Sequence, residues 1–317
     1  MKLQAVYPAI ALTLFSGLLP AADQQLVNLL MPDAKVIAGV NVDQAKNSPF
    51  GQFMLSRIQA GENGLGKLTG ATGFDPRRDL REILMGTLGQ PGHQGLVLAR
   101  GTFDATRILD AARAAGQTVE NYKGVDVLTG KEDSATHALA FLDGSIAIAG
   151  DLDNVHGAID RRSGNNSLDA ALAAKIGLLS TSLDAWSVST VPMAALANQK
   201  IPNSNLNGLL TSDVLKAVTQ TSGGIKFGAI IQLSAEAVAR SSQDAIALAD
   251  VVRFLGNMVQ SNAPTASAAA ISSLIQSLDV KTDGSTVKLA LAIPEDQLEK
   301  LMQSAHGKST QASHSKL

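Results

Sequence analysis

Two Asp-Gly dipeptides, each set between short runs of strand-forming residues, constrain this chain more than any other feature. His137 to Leu142 and Ser145 to Ala149 flank Asp143-Gly144, and Asp279 to Lys281 and Thr286 to Ile293 flank Asp283-Gly284. Glycine enters a tight turn without steric cost, and an aspartate side chain can bond the turn backbone, so each dipeptide predicts an antiparallel hairpin. A third hairpin is predicted around Lys123-Gly124, between Thr118 to Tyr122 and Val125 to Thr129. Repeated hairpins exclude an all-helical chain and a purely parallel sheet.

Helices with marked ends separate the hairpins. Ser48 and Pro49 open one that runs to about Ala60, and Asp75 and Pro76 open a short one. Asp104 and Gly116 bracket a helix from Ala105 to Ala115. Asp151 starts another that runs to about Arg162, and Ser167 is the expected cap of Leu168 to Leu179. Ser241 and Asp244 are spaced as a capping box for Ser241 to Gln260. The apolar arc of that helix, Leu248, Val251, Val252, Phe254, Leu255, Met258 and Val259, is expected to pack in a core. Thr265 to Leu278 and Glu295 to Ser304 read as further helices, and Val36 to Val42, Gly95 to Arg100, Ala185 to Val191 and Ile225 to Leu233 as strands.

The two Asp-Gly hairpins each follow a strand and a helix, Gly95 to Ala115 in one half and Ile225 to Val259 in the other. This echo predicts an α+β protein of two related lobes, residues 23–166 and 167–304, each a mainly antiparallel sheet with helices packed on one face. The polar tail, residues 305–317, is expected to be disordered.

Residues 1–22 read as a signal peptide cut after Ala21 or Ala22: Lys2, an apolar run from Val6 to Leu19, the small residues Ala21 and Ala22, and then the first acid, Asp23; the alternative is a retained N-terminal anchor helix. The apolar run is short for a membrane span, which needs about 20 residues. Localisation in the periplasm or outside the cell follows, with membrane contact only through this segment before cleavage.

Composition narrows the chemistry. The chain has no cysteine, so disulfides, thiolate metal sites, thiol nucleophiles and lipid attachment at a cysteine are excluded. A net charge of −2 and a single tryptophan give neither the basic footprint nor the stacking platform of a nucleic-acid binder. Gly61 to Lys67 matches the G-x-x-x-x-G-K core of a phosphate loop, but Leu68 stands where a hydroxyl should hold magnesium, and the preceding segment reads as helix. It is read as a glycine-rich loop, with no nucleotide. Asp75, Arg77, Arg78 and Asp79 read as a capped helix start. His93, His137, His156, His306 and His314 show no metal-ligand spacing. No G-x-S-x-G elbow is present. Asn165-Asn166-Ser167 matches a glycosylation sequon and is read as a loop and helix cap; Ser315-Lys316-Leu317 matches a peroxisomal address and is read as chance. No catalytic, cofactor-binding or metal-binding residue is assigned.

Several of these segments occur in a fixed order: Leu30-Met31-Pro32-Asp33-Ala34 before a strand, Asn47-Ser48-Pro49-Phe50-Gly51 at a helix start, Gly73-Phe74-Asp75-Pro76-Arg77-Arg78-Asp79-Leu80, then the Asp-Gly hairpins with their capped helices. In this order the chain resembles bacterial exported proteins of a family of unknown function, whose members pair a Leu-Pro-Ala-Asp opening with a later Asp-Pro-x-x-Asp-Leu segment. The resemblance implies a fold and an exported location, and brings no activity or catalytic residue with it. The expected role is a non-enzymatic envelope protein that binds a protein partner or an apolar ligand. The alternative is a hydrolase whose site is assembled from residues distant in sequence.

Overall fold

In the computed structural model of the chain, the structure describes residues 22–52, 70, 72–89, 95–132, 135–164, 168–196, 213–261 and 268–298. The protein is a mixture of helix and strand built on one large antiparallel sheet of twelve strands. In chain order these are β1 (Val36–Asn41), β2 (Leu80–Thr87), β3 (Leu96–Gly101), β4 (Thr118–Tyr122), β5 (Val125–Glu132), β6 (Ala135–Asp143), β7 (Ile146–Asp151), β8 (Ala185–Ser189), β9 (Val218–Lys226), β10 (Ile230–Ala239), β11 (Asp279–Asp283) and β12 (Thr286–Pro294). Across the sheet the order is β11-β12-β10-β9-β8-β1-β2-β3-β7-β6-β5-β4. β1 pairs with β8, Gly39 opposite Trp186, so the sheet runs unbroken across the expected boundary between residues 166 and 167.

The described helices are α1 (Gln24–Leu29), α2 (Val42–Lys46), α3 (Pro76–Asp79), α4 (Ala105–Ala114), α5 (Leu152–Arg161), α6 (Ala170–Ser182), α7 (Met193–Leu196), α8 (Asp213–Lys216), α9 (Ser242–Ser261) and α10 (Ala268–Gln276). None of them is long and apolar enough to cross a membrane. Their ends follow local chemistry. Asp75 accepts from the Arg77 amide at 3.0 Å and Asp104 from the Arg107 amide at 3.0 Å, satisfying amides that the first turn leaves unpaired. Gly116, at φ +78°, closes α4. Two expected caps differ. α6 is capped by Asp169, which accepts from the Ala171 and Leu172 amides at 3.0 Å each; the expected cap, Ser167, lies outside the described residues. Asp151 stands at the N-cap of α5 without a side-chain cap bond.

Helices cover both faces of the sheet, where the sequence reading placed them on one. The reason is side-chain alternation along the strands. Leu96, Leu98, Ile146 and Ile148 point to one face and form the main core with Leu26 of α1, Ile159 of α5 and Ile176 of α6. Ala99 and Ala147 point the other way, where Phe103, Phe141 and Ile108 of α4 pack. Tracing the register through the sheet puts Ala237, Val287 and Leu289, which pack against α9, on this second face.

Two further expectations change. Ile225 to Leu233 is not one strand: the chain turns at residues 227–229, so the segment holds the end of β9 and the start of β10. The arc on α9 is only partly in the core. Ala245, Leu248 and Ala249 are buried, while Phe254 and Met258 are 64% and 40% exposed. The arc is wider than the contact a single helix makes with one sheet face, so one edge of it stays wet.

Candidate functional site

Of the depressions among the described residues, two stand apart by size and chemistry. The first is a polar cleft of about 330 Å³ between α1, the β6–β7 turn and the end of α5, lined by Gln25, Asn28, Asp143, Arg161 and Arg162. Its polar groups answer one another. Asp143 Oδ1 accepts from the Ser145 amide at 2.6 Å, the Ser145 hydroxyl at 2.7 Å and the Ile146 amide at 3.1 Å. The Ser145 hydroxyl bond, first among these, holds the Asp143 carboxyl below its usual range. Arg161 donates from Nε at 3.2 Å and Nη2 at 2.8 Å to the Leu29 carbonyl, and burial lowers its pKa. The Ser145 hydroxyl donates to Asp143 and accepts from Arg100 Nη1 at 2.7 Å, so it is held between a carboxylate and a guanidinium.

The second depression is a trough of about 550 Å³ on the second face, over β8, β9, β10 and β12. Ala185 and Ser187 of β8, Gly223 and Ile225 of β9, Ala235 of β10 and Leu289 of β12 line it. It continues into a second hollow of about 320 Å³, where Leu233, Leu278 and Leu291 join Ile225, Ala235 and Leu289. Register explains why these residues meet. Ala185 pairs with Ile225, Ser187 with Gly223, Gly223 with Ala235, and Ala235 with Leu289, so their side chains share one face. The floor is low because its residues are small. The backbone is also tight there: a Cβ on Gly224 would come within 2.1 Å of the Ala185 carbonyl oxygen, and one on Gly223 within 2.2 Å of the Ser234 carbonyl oxygen. Trp186, between Ala185 and Ser187, points to the opposite face and is buried in the main core.

The described candidate residues singled out from sequence lie outside these two depressions, and two of them, Arg78 and Asp79, line a smaller hollow of about 210 Å³ with Phe74, Asp104 and Arg107. Asp75, Arg77, Arg78 and Asp79 sit at the start of α3, with Arg77 on Asp75 at 3.1 Å and Arg78 on Asp79 at 2.6 Å. His137 lies on β6 opposite Asp151, at the far end of the hairpin from the turn. His156 lies on α5, stacked on Tyr122 with ring centres 3.7 Å apart and bonded to Glu120 Oε1 at 3.0 Å. Gly61 to Lys67, His93, Asn165 to Ser167, His306, His314 and Ser315 to Leu317 lie outside the described residues, as do residues 1–21 and the tail. Among the described residues no group of three or more His, Asp or Glu side chains could hold a metal ion.

The fold has counterparts among solved structures. Two crystal structures of TP0453, forms IV and III, align over 89% and 90% of this chain and 97% and 99% of theirs, with TM-scores of 0.53 and 0.54. Identity is 9% in both, so the likeness is one of fold alone. No family model and no curated protein matches the chain.

Proposed function

We propose that this protein is an exported, non-enzymatic envelope protein that binds an apolar ligand along the trough between β8, β9, β10 and β12. The observation that carries the reading is the trough itself: a continuous hollow of ligand size with a floor of Gly223, Ala185 and Ala235 and walls of Ile225 and Leu289. An open, largely apolar hollow of this kind on a folded chain marks a place where something docks. The exported location rests on the order of charge, apolar run and small residues in 1–22. Solvent extraction of natively purified protein, read by mass spectrometry, tests the binding. An apolar small molecule retained by the wild type and absent from Ala235→Glu is expected. An empty wild-type trough together with a protein that co-purifies through it would replace the ligand with a partner; neither in the wild type would sink the reading.

We also infer that the sheet is two related lobes joined edge to edge. The strand order β1-β2-β3-β7-β6 is matched by β8-β9-β10-β12-β11, with the extra β4–β5 hairpin inserted in the first half. The Asp-Gly turns fall at corresponding places, and β1 and β8, the corresponding first strands, pair antiparallel. If the halves are equivalent, residues 23–166 expressed alone self-pair through the exposed edge of β1 and sediment as a dimer. A folded monomer would speak against the relation.

A further inference from the structure

Glu82 is a carboxylate placed where its surroundings do not suit it. It lies on the core face of β2, between Asn41 of β1 and Arg100 of β3. Its two oxygens accept the same backbone donor, the amide of Asp23, at 3.1 and 3.2 Å. The cation beside it is already engaged: Arg100 Nε donates to the Asp23 carboxylate at 2.7 Å, Nη1 to Ser145, and Nη2 to the Gln25 side-chain carbonyl. Two carboxylates therefore share one guanidinium, with a single amide aimed at the second of them. Half-burying a charge on those terms is costly unless a counter-charge arrives.

The sequence supplies one at that atom. The predicted signal peptide ends at Ala21-Ala22, and the nitrogen that faces Glu82 belongs to the next residue. We propose that the chain is cut between Ala22 and Asp23, and that the α-ammonium so created on Asp23 forms an ion pair with Glu82 that locks the mature N-terminus to the sheet. The step is a peptide-bond hydrolysis by a leader peptidase: water adds across the Ala22–Asp23 bond, the carboxylate leaves with Ala22, and the new amine takes up a proton. Its N–H groups then lie where the amide lay, between both oxygens of Glu82. The cluster closes at two cations and two anions, Arg100 with the Asp23 side chain and the Asp23 ammonium with Glu82. α1 begins at the next residue, and the Asp23 side chain caps it by accepting from the Gln25 amide at 2.8 Å, so the same residue anchors the chain end and the first helix. This inference rests on the exported reading and goes beyond it in fixing the bond cut and what the cut creates.

Ala22 is itself partly buried against the main core, so a mature chain starting at Ala22 is the competing product. The test is the intact mass of protein recovered from the periplasm of an expressing Gram-negative host, followed by labelling of its α-amino group with an amine-selective acylating reagent at pH 7.5. A mass beginning at Asp23 is expected. An α-amino group ordinarily titrates near 7.7–8.0, and an ion pair that raises it by about one unit slows acylation at this pH about sevenfold. Glu82→Gln is expected to restore the ordinary rate while the near-ultraviolet signal of Trp186 shows the fold intact. A mass beginning at Ala22 or elsewhere, or the same labelling rate in wild type and Glu82→Gln, would overturn the inference while leaving export standing. Unprocessed protein confined to the cytosol would instead overturn the exported reading on which it rests.

Discussion

Trp186 of β8 lies across Gly39 of β1, so closely that a Cβ added at Gly39 would stand 2.5 Å from Trp186 Cζ2. The contact sits on the strand pair that joins the first seven strands in chain order to the last five. No side chain other than hydrogen fits under the indole, which is buried in the same core as Val188 and Ile37.

Gly39→Ala is therefore expected to destabilise the protein by about 1–3 kcal/mol, the usual cost of overpacking a closed core. Trp186 is the only tryptophan, so its fluorescence reports this junction directly during denaturant unfolding. An unchanged unfolding midpoint in Gly39→Ala would show that the indole moves aside freely.

Glu82 predicts a pH dependence for the unprocessed chain. Burial, with the nearby Asp23 charge, pushes its carboxyl up from 4.5 to about 7, against the opposing pull of the Asp23 amide and Arg100. Between those two values the folded chain holds a proton that the unfolded chain has released, so this group's contribution to stability falls as pH rises from 4.5 to 7. Glu82→Gln removes that slope and gains stability at pH 8, up to about 3 kcal/mol before solvent screening reduces it. Asp23 acts in the opposite sense. Burial works to raise its carboxyl, but the Arg100 bond holds it below its ordinary value, so its contribution is lost as the pH falls through that lowered pKa. Denaturation midpoints from pH 4 to 8 for wild type and Glu82→Gln separate the two; parallel curves would refute the role given to Glu82.

Asp169 carries the start of α6, and through Leu172 and Ile176 that helix holds the main core over β8. Asp169→Ala leaves the Ala171 and Leu172 amides without their partner and is expected to cost about 1 kcal/mol. Thermal unfolding measures it. A change below about 0.3 kcal/mol would mean that water replaces the cap without loss.

Much of the scaffold was legible because it is written in local chemistry. The hairpin at Lys123-Gly124 turns through positive φ at both residues, 50° and 81°, with Gly124 the one that adopts it freely, and α9 starts where the Asp244 amide donates to the Ser241 hydroxyl at 3.1 Å. β2 was not read as a strand. Leu80 to Thr87 follows a charged helix start, carries Arg81 and Glu82, and is covered unevenly on its two faces, so it shows no clean alternation. β9 was misread because Thr219, Thr221, Ser222, Gly223 and Gly224 carry little apolar signal, and the run that does, Ile225 to Leu233, crosses a turn. The trough was hidden for the same reason. Its floor is glycine, alanine and serine, residues with no chemical signature, and only the register of four strands brings them together. The Glu82 cluster unites residues 59 and 77 positions apart, a separation no local pattern spans.

The central claim, that the trough binds apolar ligands, can be tested through Trp186. Its indole is buried on one face of β8, while its neighbours Ala185 and Ser187 line the trough on the other, so a fluorescent apolar probe seated there lies about one sheet thickness away, roughly 10 Å. Titrating the folded chain with ANS and exciting Trp186 is predicted to give saturable energy transfer to the bound dye. Ala235→Glu, which sets a carboxylate on the floor where solvent can still reach it, is predicted to weaken binding at least about tenfold, roughly 1.4 kcal/mol, with no change in unfolding midpoint. Transfer that never saturates, or that is the same in Ala235→Glu as in the wild type, would contradict the account.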